Sequence, residues 1–311
     1  MPEPYEYKEK ESLYSKFIKL LLKILNKKDA FEKTIHYYYK TNQIQKDIFQ
    51  FPQPPYFLFR KNYQKIQFKK RNIYIFNPDK DIKQTKIILY FHGGAFLRNF
   101  YLFHWHFIRK ILQYSPYSIY AVDYPLIPEN NYKNILYFCF DLYLFLRKKH
   151  NIILMGDSAG GNLCLAILQK IQKHQNPDKM ILLSPWLNLT MNHSLIPDIE
   201  KYDLILNRMG LKLAGEIYSN NSSDLPEVSP IYYNYTNLPE THIFTGTHDI
   251  LYPDIEDFYK KNKNIYLYVF PKMVHDWMIL DLFDSSLFSF KEAKKVDSIL
   301  KNILNDSYKN L

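Results

Sequence analysis

Residues 151–168 of the chain read NIILMGDSAGGNLCLAIL, and this stretch restricts the possible folds more than any other. It opens with an unbroken apolar run, passes through a turn of small residues, and closes with an apolar stretch of helical length. A strand that is apolar on both faces has to be covered on both faces, which is the situation of a central parallel strand. The 311-residue chain has only eight glycines, yet Gly156, Gly160 and Gly161 all fall around this turn. Glycine is required where side chains would collide with a tight turn or where another backbone approaches closely. The concentration therefore predicts a strained strand-to-helix turn centred on Ser158, with Gly161 letting the helix pack closely on its neighbouring strand.

The rest of the chain repeats the alternation. Short β-branched and aromatic runs fall near 64–68, 72–76, 86–91, 118–123, 151–156, 180–184, 241–245 and 265–270. Helical stretches fall near 101–114, 130–149, 158–174, 250–262 and 287–304. This order predicts an α/β fold, a mostly parallel eight-stranded sheet with helices on both faces. Two helical, polar-rich segments stand outside the alternation, about 1–50 and 187–225, and are expected to form a helical cap. The expected organisation is one domain over 1–311 with those two cap segments.

Composition narrows the function classes. The net charge is +10, but the lysines are mixed with acids, as in KEKESLYSK and KEAKKVDS, and form no continuous stripe. No nucleic-acid partner is expected from such a pattern. Cys139 and Cys164 sit inside apolar runs, which predicts buried free thiols and a reducing, cytoplasmic setting. Met1–Glu11 is polar and acidic and does not read as a signal peptide. Residues 135–146, ILYFCFDLYLFL, are too short for a membrane span and carry Asp141, so a buried helix is expected. Residues 13–24 place Leu13, Phe17, Leu20, Leu21 and Ile24 at helical spacing, with Lys16, Lys19, Lys23 and Lys27 opposite. That helix is expected to pack its apolar face over the protein's own core, with weak membrane-surface contact as the alternative.

Gly156-Asp157-Ser158-Ala159-Gly160 fits G-x-S-x-G between a strand and a helix, the setting in which the pattern marks a nucleophile elbow. The N–H of Ala159, at the helix N-terminus, would face a developing oxyanion. A second glycine pair lies in Phe91-His92-Gly93-Gly94-Ala95-Phe96, at the end of strand 86–91. Consecutive N–H groups of such a loop can turn toward one point, so Gly93, Gly94 and Ala95 complete the expected oxyanion hole. His92 is expected to brace the loop through nearby backbone.

A nucleophile elbow of this kind takes its partners in the chain order serine, acid, histidine, with the acid after a later strand. Asp249 follows the strand HIFTGT; Asp254, five residues on, is the competitor and is expected on a helix face turned to solvent. His275 follows the last strand, IYLYVF, after a short turn. His248 adjoins Asp249 but leaves the wrong order. The His104-x-His106 pair lacks a third ligand at suitable spacing and reads as helix or lid residues, so no metal is expected.

A resemblance then becomes specific. HGGAF at 92–96, VDYPLIPEN at 122–130, GDSAGG at 156–161 and SPWLNLT at 184–190 run in a fixed order. VSPIYY at 228–233, GTHDILYPD at 246–254 and MVHDW at 273–277 continue it. Together they resemble the hormone-sensitive-lipase-like branch of the α/β-hydrolases, which includes carboxylesterases and arylacetamide deacetylases. The resemblance covers roughly residues 50–280. It implies an α/β-hydrolase fold and a serine carboxylic ester hydrolase without cofactor, in which Ser158, Asp249 and His275 form the triad. The implied substrates are small-molecule hydrophobic esters with short to medium acyl chains. The family usually shows HGGG, whereas Ala95 stands at the third glycine here, an exchange expected to be tolerated if its φ stays negative and to bear on acyl-pocket size. Two other readings remain open: a non-catalytic small-molecule receptor on the same fold, like the gibberellin receptors that lack the histidine, and a peripheral membrane lipase or deacetylase using residues 13–24.

Overall fold

The apolar run that opens the argument forms β6 (Asn151–Asp157), in which every residue after Asn151 is buried. Its alternate side chains enter different cores. Ile152 and Leu154 face one apolar cluster, while Ile153 and Met155 face the other. The period of two is thus filled with hydrophobic residues on both phases, which is why no polar alternation marks the strand. This is a computed structural model that describes residues 2–25, 28, 32–34, 36–37, 41, 50–77, 86–171, 175–281 and 290–306.

The other strands are β1 (Tyr5–Glu6), β2 (Gln64–Phe68), β3 (Arg71–Phe76), β4 (Lys86–Phe91), β5 (Ser118–Val122), β7 (Lys179–Leu183), β8 (Glu240–Gly246) and β9 (Ile265–Phe270). They lie in the order β1-β9-β8-β7-β6-β4-β5-β3-β2. Pairing is parallel except at β2–β3 and β3–β5. Consecutive parallel strands need crossover helices, and these cover both faces. α4 (Tyr132–Arg147), α5 (Ala159–Lys170) and α8 (Tyr252–Lys261) pack into one cluster; α3 (Leu102–Tyr114) and α9 (Lys291–Leu304) pack into the other. The remaining elements are α1 (Leu13–Leu25) and the single turn α2 (Tyr56–Phe59). Cys139 on α4 and Cys164 on α5 are free and buried, and burial pushes both thiols up.

All eight expected strands are present with ends displaced by at most one residue, and the five expected helices coincide within the described residues. The ninth strand was not expected. β1 is two residues long and pairs parallel with β9, Tyr5 opposite Tyr268 and Glu6 opposite Val269. Tyr7 extends it by donating its N–H to Val269 O, and its ring stacks on Phe270. Two residues carry no readable alternation, so the pairing comes from the neighbouring strand.

The second expected cap segment contains α6 (Ile196–Glu200) and α7 (Arg208–Ser219), the latter capped by the Asn207 side chain, which accepts from Gly210 N. Of the first, the described part includes β1, α1 and scattered positions from 28 to 41; the remainder of 1–50 lies outside the described residues. The helix at 13–25 forms as the spacing predicts, but its orientation is the reverse of expectation. Ser12 and Ser15 are buried against the body, where Ser12 donates from N and Oγ to Glu292 at 2.8 and 2.9 Å. Lys19 lies on the same inner side, paired with Glu11 and donating to Lys272 O. Leu13 is 84% exposed and Ile24 71%, with Phe17, Leu20 and Leu21 also exposed between them. Specific polar partners fix the inner face, and the apolar stripe is left outside. Among the described residues no helix is long and apolar enough to cross a membrane.

Candidate active site

The site is built on the ends of parallel strands. At the end of β6, Ser158 has φ 50° and ψ −115°, a conformation that costs a non-glycine residue about 1–3 kcal/mol and persists only if surroundings enforce it. Three hydrogen bonds do so. Ser158 N donates to Leu183 O, while Ser158 O accepts from Trp186 N and Asn162 N. The glycines answer to close approach, as their concentration predicts. A Cβ on Gly160 would stand 1.9 Å from Phe91 O, and one on Gly156 would stand 2.5 Å from the Gly160 carbonyl. Gly161 faces Pro185 in the same way.

Beside the elbow, the loop after β4 is anchored by a buried carboxylate. Asp157 Oδ2 accepts from Gly93 N at 2.8 Å and from His104 Nε2 at 3.2 Å, and Oδ1 accepts from the Tyr90 hydroxyl. His104 Nδ1 accepts from Tyr101 N at the start of α3, which fixes the tautomer with hydrogen on Nε2. Burial would raise the Asp157 carboxyl, but the His104 and Tyr90 donors outweigh it and hold the group below its ordinary range. His92 donates from Nδ1 to Gly93 O at 2.7 Å, and its ring stacks on Tyr124. Burial and the neighbouring His104 lower His92 to about 3, so its ring is neutral.

Two expectations about this loop need correction. Gly93 was expected among the oxyanion donors, but its N–H is committed to Asp157, and a Cβ there would lie 2.3 Å from that carboxylate. The N–H groups of Gly94, Ala95 and Ala159 make no hydrogen bond among the described residues. The exchange at Ala95 was expected to be tolerated if its φ stayed negative, and that condition is not met. Ala95 has φ 53°, and Phe96 follows at 59°, so the usual third glycine has been replaced without relaxing the left-handed backbone. Stacking of the buried Phe96 on Tyr218, with centroids 3.7 Å apart, helps hold the turn.

Asp249 lies in the loop after β8, fully buried, and accepts from Leu251 N through Oδ1 and from His275 Nδ1 through Oδ2 at 2.8 Å. His275 arrives from the loop after β9 and is buried. Its Nε2 lies 3.0 Å from Asp276 Oδ2, and among the described residues no hydrogen bond joins it to the Ser158 hydroxyl. Burial works against the imidazolium, but Asp276 and Asp249 outweigh it and raise His275 well above 6.5.

Asp254 lies on α8 as expected, yet it is buried and not turned to solvent. Asn188 of the cap donates to it at 3.0 Å, and burial pushes it up to about 6. His248 stacks on Tyr202 of the cap. A residue missed entirely is Asp203, a buried cap carboxylate that accepts from Ile205 N and Leu206 N through one oxygen and from Ile250 N through the other. It hooks the cap to the residue after Asp249, and burial together with the Asp249 charge raises it to about 6. No local pattern in the sequence marks it. Tyr90 and His104 were not read as partners of the elbow either, because one lay in a strand run and the other in a helical one.

The strained turn at Ser158, the loops that bring Asp249 and His275 together and the sheet order define an α/β-hydrolase fold. The chain matches the α/β hydrolase fold family over residues 88–279, a span that includes Ser158, Asp249 and His275, and it belongs to that family. An esterase of Acinetobacter venetianus is 31% identical over 185 residues, covering 57% of this chain and 61% of that protein, so less than two thirds of that relative is spanned. Human hormone-sensitive lipase is 32% identical over 98 residues, which is 29% of this chain and 9% of that one. A Staphylococcus aureus crystal structure at 25% identity superposes with a TM-score of 0.73, covering 89% of this chain and 95% of that one.

Proposed function

We propose that this protein is a serine carboxylic ester hydrolase acting on short- to medium-chain acyl esters. In this reading Ser158 Oγ attacks the ester carbonyl while His275 takes its proton, and Asp249 holds the imidazole tautomer and stabilises the imidazolium. The oxyanion is received by the N–H groups of Gly94, Ala95 and Ala159, each worth a factor of about 10² to 10³ in an arrangement of this kind. His275 then protonates the leaving alcohol, and water repeats the cycle on the acyl-enzyme. The observation that carries this is the buried Asp249–His275 pair at 2.8 Å, delivered to the same end of the sheet as the Ser158 turn. The relatives named as esterases support the same chemistry. In this reading the described parts of segments 1–50 and 187–225 belong to one domain with the sheet.

The test is hydrolysis of p-nitrophenyl acetate and butyrate, together with covalent labelling by a fluorophosphonate that maps to Ser158. A receptor on the same fold would bind small molecules but would not label. If the protein is inert across short acyl esters and resists the phosphonate, the esterase assignment fails.

The reversed α1 favours a second element of function, contact with an anionic membrane surface. A stripe of exposed Leu13, Phe17, Leu20, Leu21 and Ile24, flanked by exposed Lys16 and Lys23, suits shallow insertion between acidic headgroups. Phe17→Asp combined with Leu20→Asp in the full chain should weaken sedimentation with phosphatidylglycerol vesicles by about tenfold or more, since each buried side chain contributes about 1.5–3 kcal/mol. Soluble-ester turnover should not change. Equal partitioning of wild type and variant would remove the membrane reading and leave the esterase reading intact.

A further inference from the structure

Asp276 follows His275 directly, and nothing in the ester-hydrolysis scheme uses it. Its backbone has φ 52°, in the left-handed region, and the residue is 8% exposed. Oδ2 lies 3.0 Å from His275 Nε2, while Asp249 holds Nδ1 on the other side of the ring. Nε2 is the atom that has to receive the Ser158 proton. A carboxylate oxygen and an unprotonated ring nitrogen are both acceptors, so a contact of this length needs a proton between them. Whether that proton rests on nitrogen or on oxygen, the Nε2 lone pair is engaged and is not available to Ser158.

We propose that Asp276 is a built-in competitor of Ser158 for His275 Nε2, which holds the site in a proton-dependent resting state until the carboxylate turns away. The inference rests on the esterase reading of Ser158 and His275. The groups facing the pair are Asp249 from the loop after β8, Asp157 from the end of β6, Asp203 from the cap and Tyr90 from β4. All are buried, and all are acids. Burial pushes Asp276 up to about 7 against the lowering pull of His275, and the two flanking carboxylates hold His275 above its ordinary value. The shared proton is therefore retained at neutral pH and released to solvent as the pH rises. Once it has gone, carboxylate and lone pair face one another as two acceptors and repel. Asp276 then gives up a single side-chain contact, the one at Oδ2, because its Oδ1 has no partner among the described residues. Nε2 is left open to the Ser158 hydroxyl, and no covalent bond is made or broken.

The test compares wild type with Asp276→Asn and Asp276→Gly. Asparagine and glycine both accept positive φ, so neither exchange strains the turn. Two quantities are measured from pH 5 to 9: kcat/KM for p-nitrophenyl acetate, and the titration of His275 by NMR in ¹³C-histidine-labelled protein. The sign follows from charge. Removing the carboxylate lowers His275, so more of it is neutral at a given pH. In both variants the acid limb should move down by about one pH unit or more, a gain of about tenfold on that limb, with His275 titrating correspondingly lower. Coincident acid limbs in the three proteins, or a loss of activity at every pH with His275 unmoved, would overturn the proposal. If none of the three turns over esters at any pH, the esterase reading falls, and the His275 titration alone decides: a lowered value supports the competitor and an unmoved one overturns it.

Discussion

Ser158→Ala is expected to lower kcat/KM for p-nitrophenyl butyrate on the order of 10⁶-fold, to the level set by binding and the oxyanion donors alone. The size follows from what one atom does. Without Oγ no acyl-enzyme can form, and His275 has no substrate-side proton to take. The structure predicts that this loss comes without unfolding. The bonds that hold the elbow, Ser158 N to Leu183 O and Trp186 N and Asn162 N to Ser158 O, are all from the main chain and survive the exchange. Alanine tolerates φ 50° no better and no worse than serine, so the melting temperature should stay within a few degrees. Adding His275→Ala to Ser158→Ala should cost almost nothing further, because nucleophile and base act as a unit. Retention of activity within about a hundredfold of wild type in Ser158→Ala would place the chemistry on another residue.

The parts of this molecule that could be read from the chain are those in which the physical signal is local. Within β6 the run from Ile152 to Gly156 is apolar throughout because both faces are covered, and its short length and the flanking glycines separate strand from helix. The glycines at 156, 160 and 161 are legible because close approach excludes every other side chain. The placing of Asp249 and His275 in loops after strands follows from the order of elements. What escaped depends on distant partners. The period of α1 is plain in the sequence, but its inward face is chosen by Glu292, some 280 residues away in the chain. Gly93 looks like an oxyanion donor until Asp157 is seen to take its N–H across the fold. Asp254 reads as a solvent-facing helix residue until Asn188 of the cap covers it. Ala95 could be expected to avoid positive φ, yet the packing of Phe96 on Tyr218 and Trp186 supports the turn that keeps it there. Asp276 is visible beside the histidine, but nothing in the chain says that its left-handed backbone directs the carboxylate to Nε2.

Asp249→Asn is expected to cost about 10⁴-fold in kcat on the same ester, with the fold retained. The carboxylate makes two contacts, accepting from Leu251 N through Oδ1 and from His275 Nδ1 through Oδ2. An asparagine can keep the first by presenting its amide oxygen to Leu251. It then presents NH₂ to His275, which forces Nδ1 to become the acceptor and moves the ring hydrogen to Nε2. That tautomer cannot take the Ser158 proton, so the loss falls on the chemical step while KM changes little. Asp254→Asn provides the contrast, because both residues are buried acids after β8 and sequence position alone leaves them as rivals. Asp254 pairs with Asn188 and makes no hydrogen bond or ion pair to His275 among the described residues, so its exchange should leave kcat within about tenfold and act mainly on the seating of the cap. Steady-state kinetics on the two variants side by side is the measurement. A deeper fall in kcat for Asp254→Asn than for Asp249→Asn would transfer the role of triad acid to the helix and require the imidazole to turn away from the loop after β8.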